Sequence, residues 1–193
     1  MLINGFKDEL QAARSQQNAQ IEALDPTQKL LVEVVGEWAG TRKAWKARLC
    51  QPTMPPKLRL LLLGTAGTGK THTAKIAITE VRTILGLYES VLTMDFTGVA
   101  SVNLGTGART IDSIFHTNRD AASEDLTGED LDKLVDELRS VEMVVIDEIS
   151  TCSASTLEVV SRRMQQVARV LWRGVSTHRL QMISGLLVAL ACS

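Results

Sequence analysis

The sequence predicts an α/β fold in which a parallel sheet carries helices on both faces, in three layers. Two observations lead there. Short apolar runs at 58–63, 90–96 and 143–146 alternate with segments of helical period, the order expected of successive β-α-β units. The first run also ends in a glycine-rich octapeptide that leads directly into a helix.

The elements follow in order. Residues 1–23 are expected to form a peripheral helical extension, polar and rich in Gln and Ala, with Phe6, Leu10, Ala13 and Ile21 as a loose helical stripe. Asp25-Pro26 reads as an N-cap followed by a proline in the first turn, and Leu30, Leu31, Val34, Val35 and Trp38 supply an apolar face behind it. The basic stretch 43–48, with Trp45, and the prolines Pro52, Pro55 and Pro56 read as a linker into the core. The run 58–63 is almost unbroken in its apolarity, as in a central parallel strand covered on both faces. A helix is expected over 70–85 and a second strand over 90–96. The acidic stretch 118–136 reads as a solvated loop passing into a polar helix. A third strand follows at 143–146. In 154–172, Leu157, Val160, Met164, Val167 and Leu171 recur at helical spacing, with arginines on the other side. The domain is bounded at 24–172, and the tail 173–193, which ends in small and apolar residues without charge, is given no domain role.

Composition narrows the function classes. The chain has 193 residues, 45% of them hydrophobic, which suits one compact domain with a substantial core. A net charge of −1 and 4% aromatic residues give no global field for a nucleic acid or a membrane, so any such partner is bound locally. Cys50, Cys152 and Cys192 lack metal-ligand spacing, which suits a reduced, intracellular protein; the nucleus is the expected compartment over the mitochondrion, on no feature of the cysteines. Residues 1–10 lack the apolar core of a secretory signal. The run 182–192 is too short to cross a hydrocarbon layer of about 30 Å, so no membrane partner is expected.

Gly64-Thr65-Ala66-Gly67-Thr68-Gly69-Lys70-Thr71 has two glycines framing four residues, then Lys and Thr, the pattern of a phosphate-binding P-loop. Such a loop turns backbone N–H groups inward around phosphate oxygens, a geometry glycine permits, and the following helix adds its positive end. Lys70 is expected to neutralise the β- and γ-phosphates of ATP and Thr71 to place its hydroxyl on magnesium. The run Met143-Val144-Val145-Ile146 delivers Asp147 and Glu148 to the carboxyl edge of the sheet, where ligands of such folds bind. Asp147 is expected to hold magnesium directly or through water. Glu148 would orient and deprotonate the attacking water, which favours hydrolysis over transfer to a small acceptor. The fold class is thus a P-loop NTPase.

These residues together resemble a family. The octapeptide is similar to the phosphate loop of superfamily-one DNA helicases of the Pif/RecD type. Phe96-Thr97-Gly98-Val99-Ala100-Ser101, then Gly105 and Thr110-Ile111-Asp112-Ser113-Ile114-Phe115, resemble the segments with which that family grips single-stranded DNA. Asp147-Glu148-Ile149-Ser150 resembles its second ATPase motif, and Leu24-Asp25-Pro26-Thr27-Gln28 its adenine-reading signature. The resemblance spans about 24–169, with four motifs in the family's order. It implies a RecA-like fold and a 5′-to-3′ helicase that couples ATP hydrolysis to movement along single-stranded DNA in recombination, repair, replication or telomere maintenance. It gives Gln28 the adenine edge, which a side-chain amide matches by donating and accepting together. It gives Thr97, Gly98, Ser101, Thr110 and Ser113 the DNA strand, through phosphate contacts and packing on bases. From chemistry alone, a pair of capped helix starts explains those hydroxyls equally well.

The departures are specific. Asp112 stands where the family has histidine. The family's Gly-Asp and Gln-Leu-Pro segment, expected after the helix ending near 172, is absent, as is the second RecA-like lobe with its catalytic arginines. The tail 173–193 therefore reads as divergent or truncated. The activity would need a second lobe or self-association, and a catalytically silent ATP-binding module is the alternative expectation.

Overall fold

The computed structural model describes residues 2–47, 57–96, 109–117, 124–171 and 186–192. It resolves into two compact units, one formed by 1–55 and 72–86 and the other by 56–71 and 87–193.

The first unit is helical. Helix α1 spans Leu2–Glu22, α2 spans Pro26–Lys46, and α3 spans Lys70–Leu85, of which the part from His72 onward lies in this unit. Asp25 starts α2 as a capping box: its carboxylate accepts from the backbone N–H groups of Thr27 and Gln28, and the Gln28 side chain accepts from the N–H of Asp25. Val32, Val35, Trp38, Ala39 and Arg42 are the buried positions of α2, whereas Leu30 is exposed, so the apolar stripe is turned from the one expected. The helix also runs on through the basic stretch read as linker. Nothing between Thr41 and Lys46 breaks a helix, and the Arg42 guanidinium lies 5.0 Å from the centre of the Trp45 ring, a favourable contact three residues apart.

Helix α1 is more firmly attached than a peripheral extension needs to be. Glu80 of α3 is only 8% exposed, and Arg14 of α1 donates to its two oxygens at 3.0 and 3.1 Å. Gln17, also buried, donates to the same carboxylate at 2.6 Å and accepts from the Thr83 hydroxyl at 3.3 Å. A buried carboxylate is costly unless its lone pairs are met, and this fork meets them. Arg14→Ala is expected to lower unfolding stability by about 1–2 kcal/mol, because Glu80 stays buried with fewer donors. An unchanged midpoint in urea unfolding would show the fork to be ornamental.

The second unit holds a five-stranded sheet. Its strands are β1 Leu58–Gly64, β2 Val91–Asp95, β3 Arg109–Thr110, β4 Met143–Asp147 and β5 Leu186–Cys192, in the order β1-β5-β4-β2-β3, with every pairing parallel. Helices α4 Ile111–Phe115, α5 Gly128–Leu138 and α6 Ala154–Leu171 belong to the same unit. Every residue of β2 and β4 is buried. Leu92 and Met94 pair with Val144 and Ile146 and share one core with Ile111, Ile114, Phe115, Leu134, Leu138, Val160 and Val167 from the three helices. Helix α5 is thus not simply polar, since Leu134, Val135 and Leu138 form a buried face.

Two expectations about the sheet are corrected. β1 is an edge strand among the described residues, not a central one, and its burial alternates, leaving Leu61 57% and Leu63 62% exposed. The tail, given no domain role by the sequence, supplies an interior strand: β5 pairs with β1 through seven residues and with β4 through four. Its sequence, Leu-Leu-Val-Ala-Leu-Ala-Cys, is the uncharged run typical of an interior parallel strand.

The arginines of α6 are not all solvent-facing either. Arg163 is 2% exposed and donates to Gln166 Oε1 at 3.0 Å and to the carbonyl of Glu124. Gln166 in turn exchanges two hydrogen bonds with the backbone of Leu126, at 3.1 and 3.2 Å. The pair pins the segment before α5 onto α6, and burial holds the Arg163 guanidinium below its ordinary range.

Candidate nucleotide site

The loop from Gly64 to Gly69 joins β1 to α3, as expected of a P-loop. Gly67 and Gly69 have φ of 81° and 79°, where a side chain would be strained. Gly64 is tight for another reason: a Cβ there would lie 2.8 Å from the Thr68 hydroxyl and would displace it. That hydroxyl donates to the carbonyl of Thr65 at 2.9 Å and holds the loop closed on itself. Lys70 opens the helix and its Nζ donates to the carbonyls of Gly64 at 2.6 Å and Thr65 at 2.7 Å, which places the ammonium over the loop. Thr71 follows in the first turn of α3 and is half-buried.

At the end of β4, Asp147 is buried and accepts from the N–H of Glu148 at 2.9 Å. Glu148 has φ 50° and ψ 43°, a left-handed conformation uncommon outside glycine and frequent at functional positions. Its carbonyl accepts from both the N–H and the hydroxyl of Thr151, at 3.0 and 2.7 Å, which fixes the backbone on its far side. Burial raises the Asp147 carboxyl above its usual range, with Glu148 and Asp95 adding to the rise. The Glu148 N–H and the charge of Lys70 oppose it. Gly64, Thr65, Ala66, Gly67, Thr68, Gly69, Lys70, Thr71, Asp147 and Glu148 all fall on the unit that carries the sheet.

These residues fit a magnesium nucleotide. The loop offers backbone donors at a helix start for phosphate, and the Thr71 hydroxyl and Asp147 carboxylate are hard oxygen donors. Among the described residues no group of three or more His, Cys, Asp or Glu could hold a metal by itself.

The other expected site residues are placed differently. Gln28 lies in the helical unit, where its side chain completes the capping box. Thr97, Gly98 and Ser101 fall outside the described residues. Thr110 is the N-cap of α4: its hydroxyl accepts from the Ser113 N–H at 3.1 Å, and the Ser113 hydroxyl donates back to the Thr110 carbonyl at 2.8 Å. The two hydroxyls thus have the local, capping role that chemistry alone allowed. Asp112 stands in the first turn of α4, where a negative charge meets the positive end of the helix. No helix among the described residues is long and apolar enough to cross a membrane. Sequence reasoning placed Asp95 within a strand and gave it no role, because its neighbour across the ladder is visible only once the strands are paired.

Comparison with known proteins agrees with this fold. The PIF1-like helicase family model matches residues 55–175, well over half of the chain. No curated protein matches the sequence. Among solved structures, the chain is similar to a Pif1 helicase described with a second, coordinating copy on forked double-stranded DNA, with TM-score 0.57 and 19% identity over 88% of this chain and 33% of that one. It is also similar to Pif1 from Candida albicans, with TM-score 0.53 and 18% identity over 87% of this chain and 32% of that one. The Bacteroides Pif1 solved with ADP-AlF3 and single-stranded DNA gives TM-score 0.51 and 21% identity over 78% and 31%. The chain spans no more than a third of each of these proteins. At such identities the likeness speaks for the fold, a RecA-like P-loop fold built on a parallel sheet.

Proposed function

The chain belongs to the PIF1-like helicase family, and from that membership we propose that it is the ATP-binding lobe of a 5′-to-3′ DNA helicase, a motor of DNA recombination, repair or genome maintenance. The observation that supports the reading most directly is the glycine loop between β1 and α3 with the Lys70 ammonium folded over it, on the same unit in which Asp147 closes β4. Lys70 and the loop N–H groups bind the phosphates of ATP, while Thr71 and Asp147 hold the magnesium ion, which supplies charge neutralisation when bound. Glu148 takes the proton from the attacking water. Gln28 is assigned the adenine edge by resemblance. Thr97, Gly98, Ser101, Thr110 and Ser113 are assigned to single-stranded DNA on the same ground.

A second lobe, or a second copy of the chain, completes the cycle. It closes on the nucleotide and opens after hydrolysis, so that alternating grips move the strand. The test is the steady-state rate of ATP hydrolysis by the purified chain with and without single-stranded DNA. Turnover stimulated by DNA supports a motor lobe. Nucleotide binding without turnover, with or without DNA, would make the chain a silent ATP-binding module instead.

A further inference from the structure

Helix α1 is docked with little apolar burial. Over 11–22 every residue is exposed except Gln17, which is buried, and Ile21, which is half-buried. A docked helix is ordinarily held by an apolar stripe of three to four residues in every two turns. Over this length α1 is held instead by polar groups: Arg14 donates to both oxygens of Glu80, and Gln17 joins Glu80 to Thr83. The exposed pair of Glu22 with Lys29 ties its end to α2, and such pairs add little in water.

An element with few buried apolar contacts opens locally, without unfolding the rest of the chain. Both partners of the fork, Glu80 and Thr83, stand on α3, the helix that opens with Lys70 and Thr71. At 1.5 Å per residue, Glu80 lies about 15 Å along the axis from Lys70. A rigid helix carries a shift at one end to the other. A clamp on Glu80 therefore restrains the tilt and slide of α3, and with them the ammonium and the hydroxyl at its start.

We propose that α1 is a detachable strap, latched by the fork of Arg14, Gln17 and Glu80, whose docking on α3 holds the start of that helix in its nucleotide-binding position. The inference rests on the reading of the loop from Gly64 to Thr71 as a nucleotide site. The coupling is reciprocal: the docked strap raises the affinity for nucleotide, and bound nucleotide holds the strap down by the same factor.

The experiment is hydrogen–deuterium exchange of the full chain, with and without saturating magnesium–ADP, for the parent protein, Arg14→Ala and Glu80→Gln. In the parent, the amides of 11–22 are expected to exchange faster than those of 73–81, and ADP is expected to slow them about fivefold, the low end of coupling between sites. Each variant is expected to speed the exchange of 11–22 by about tenfold, the loss of one charge-assisted hydrogen bond. The far-UV spectrum shows whether the variants fold, and the parent decides the coupling without them. ADP that protects 64–71 and leaves 11–22 unchanged would overturn the coupling while the nucleotide site stands. Amides of 11–22 that exchange in step with 73–81 in the parent would make α1 a fixed part of the fold and overturn the strap. Folded variants with the parent's exchange at 11–22 would overturn the latch. A parent in which ADP protects no segment would overturn the site reading and this inference together.

Discussion

Lys70→Ala is expected to weaken nucleotide binding by at least about a hundredfold, the loss of two charge-assisted hydrogen bonds at about 1.5 kcal/mol each. The Lys70 ammonium is held at 2.6 and 2.7 Å from the carbonyls of Gly64 and Thr65, so its position over the loop is set before any phosphate arrives. Phosphate oxygens would take over these bonds with little rearrangement of the side chain, and preorganisation of this kind favours affinity. Removing the ammonium has a second effect. The Asp147 carboxyl, already raised by burial, loses the positive charge that opposes the rise, so the magnesium side of the site is weakened as well. Titration of a fluorescent ADP with each protein measures the effect. A loss of less than about threefold would mean that the loop N–H groups carry the phosphates alone.

The nucleotide site was legible in the sequence because each of its parts is local. The glycines of the loop, the lysine at the helix start and the carboxylates at a strand end are each defined by a few consecutive residues, and in the fold Gly67 and Gly69 take positive φ values in the turn between β1 and α3. What was not legible depends on which strands become neighbours. The apolar run of β1 reads the same whether it lies at the centre or the edge of a sheet and whether one face or both are covered, and its burial alternates, with Leu61 and Leu63 exposed on one face. The uncharged run of β5 was read for what it is too short to be, a membrane span, and not for the interior strand that it is. Asp95 meets Asp147 across the ladder, 52 positions away in sequence. The helical pattern puts the arginines of α6 opposite its apolar face, and it does not reveal that Arg163 finds buried partners in the carbonyl of Glu124 and the amide oxygen of Gln166.

Glu148→Gln is expected to leave nucleotide affinity within about threefold of the parent while lowering turnover by about 10²- to 10⁴-fold, the usual contribution of a general base. The substitution is nearly isosteric and removes only the ability to accept a proton. The backbone argues that little else will change. Asp147 Oδ1 accepts from the Glu148 N–H, Thr151 donates twice to the Glu148 carbonyl, and these bonds hold the left-handed conformation whatever the side chain. A strained conformation at this one residue of the strand end is maintained at a cost of about 1–3 kcal/mol, which makes sense if it aims the carboxylate. Single-turnover hydrolysis beside equilibrium binding separates the two quantities. Turnover lost together with affinity, to the degree seen for Lys70→Ala, would place Glu148 among the groups that hold the nucleotide and leave the attacking water without a base in this chain. Affinity kept and turnover lost would set the division of labour across the site, with Lys70 on the β1 side binding the phosphates and Glu148 on the β4 side acting on water.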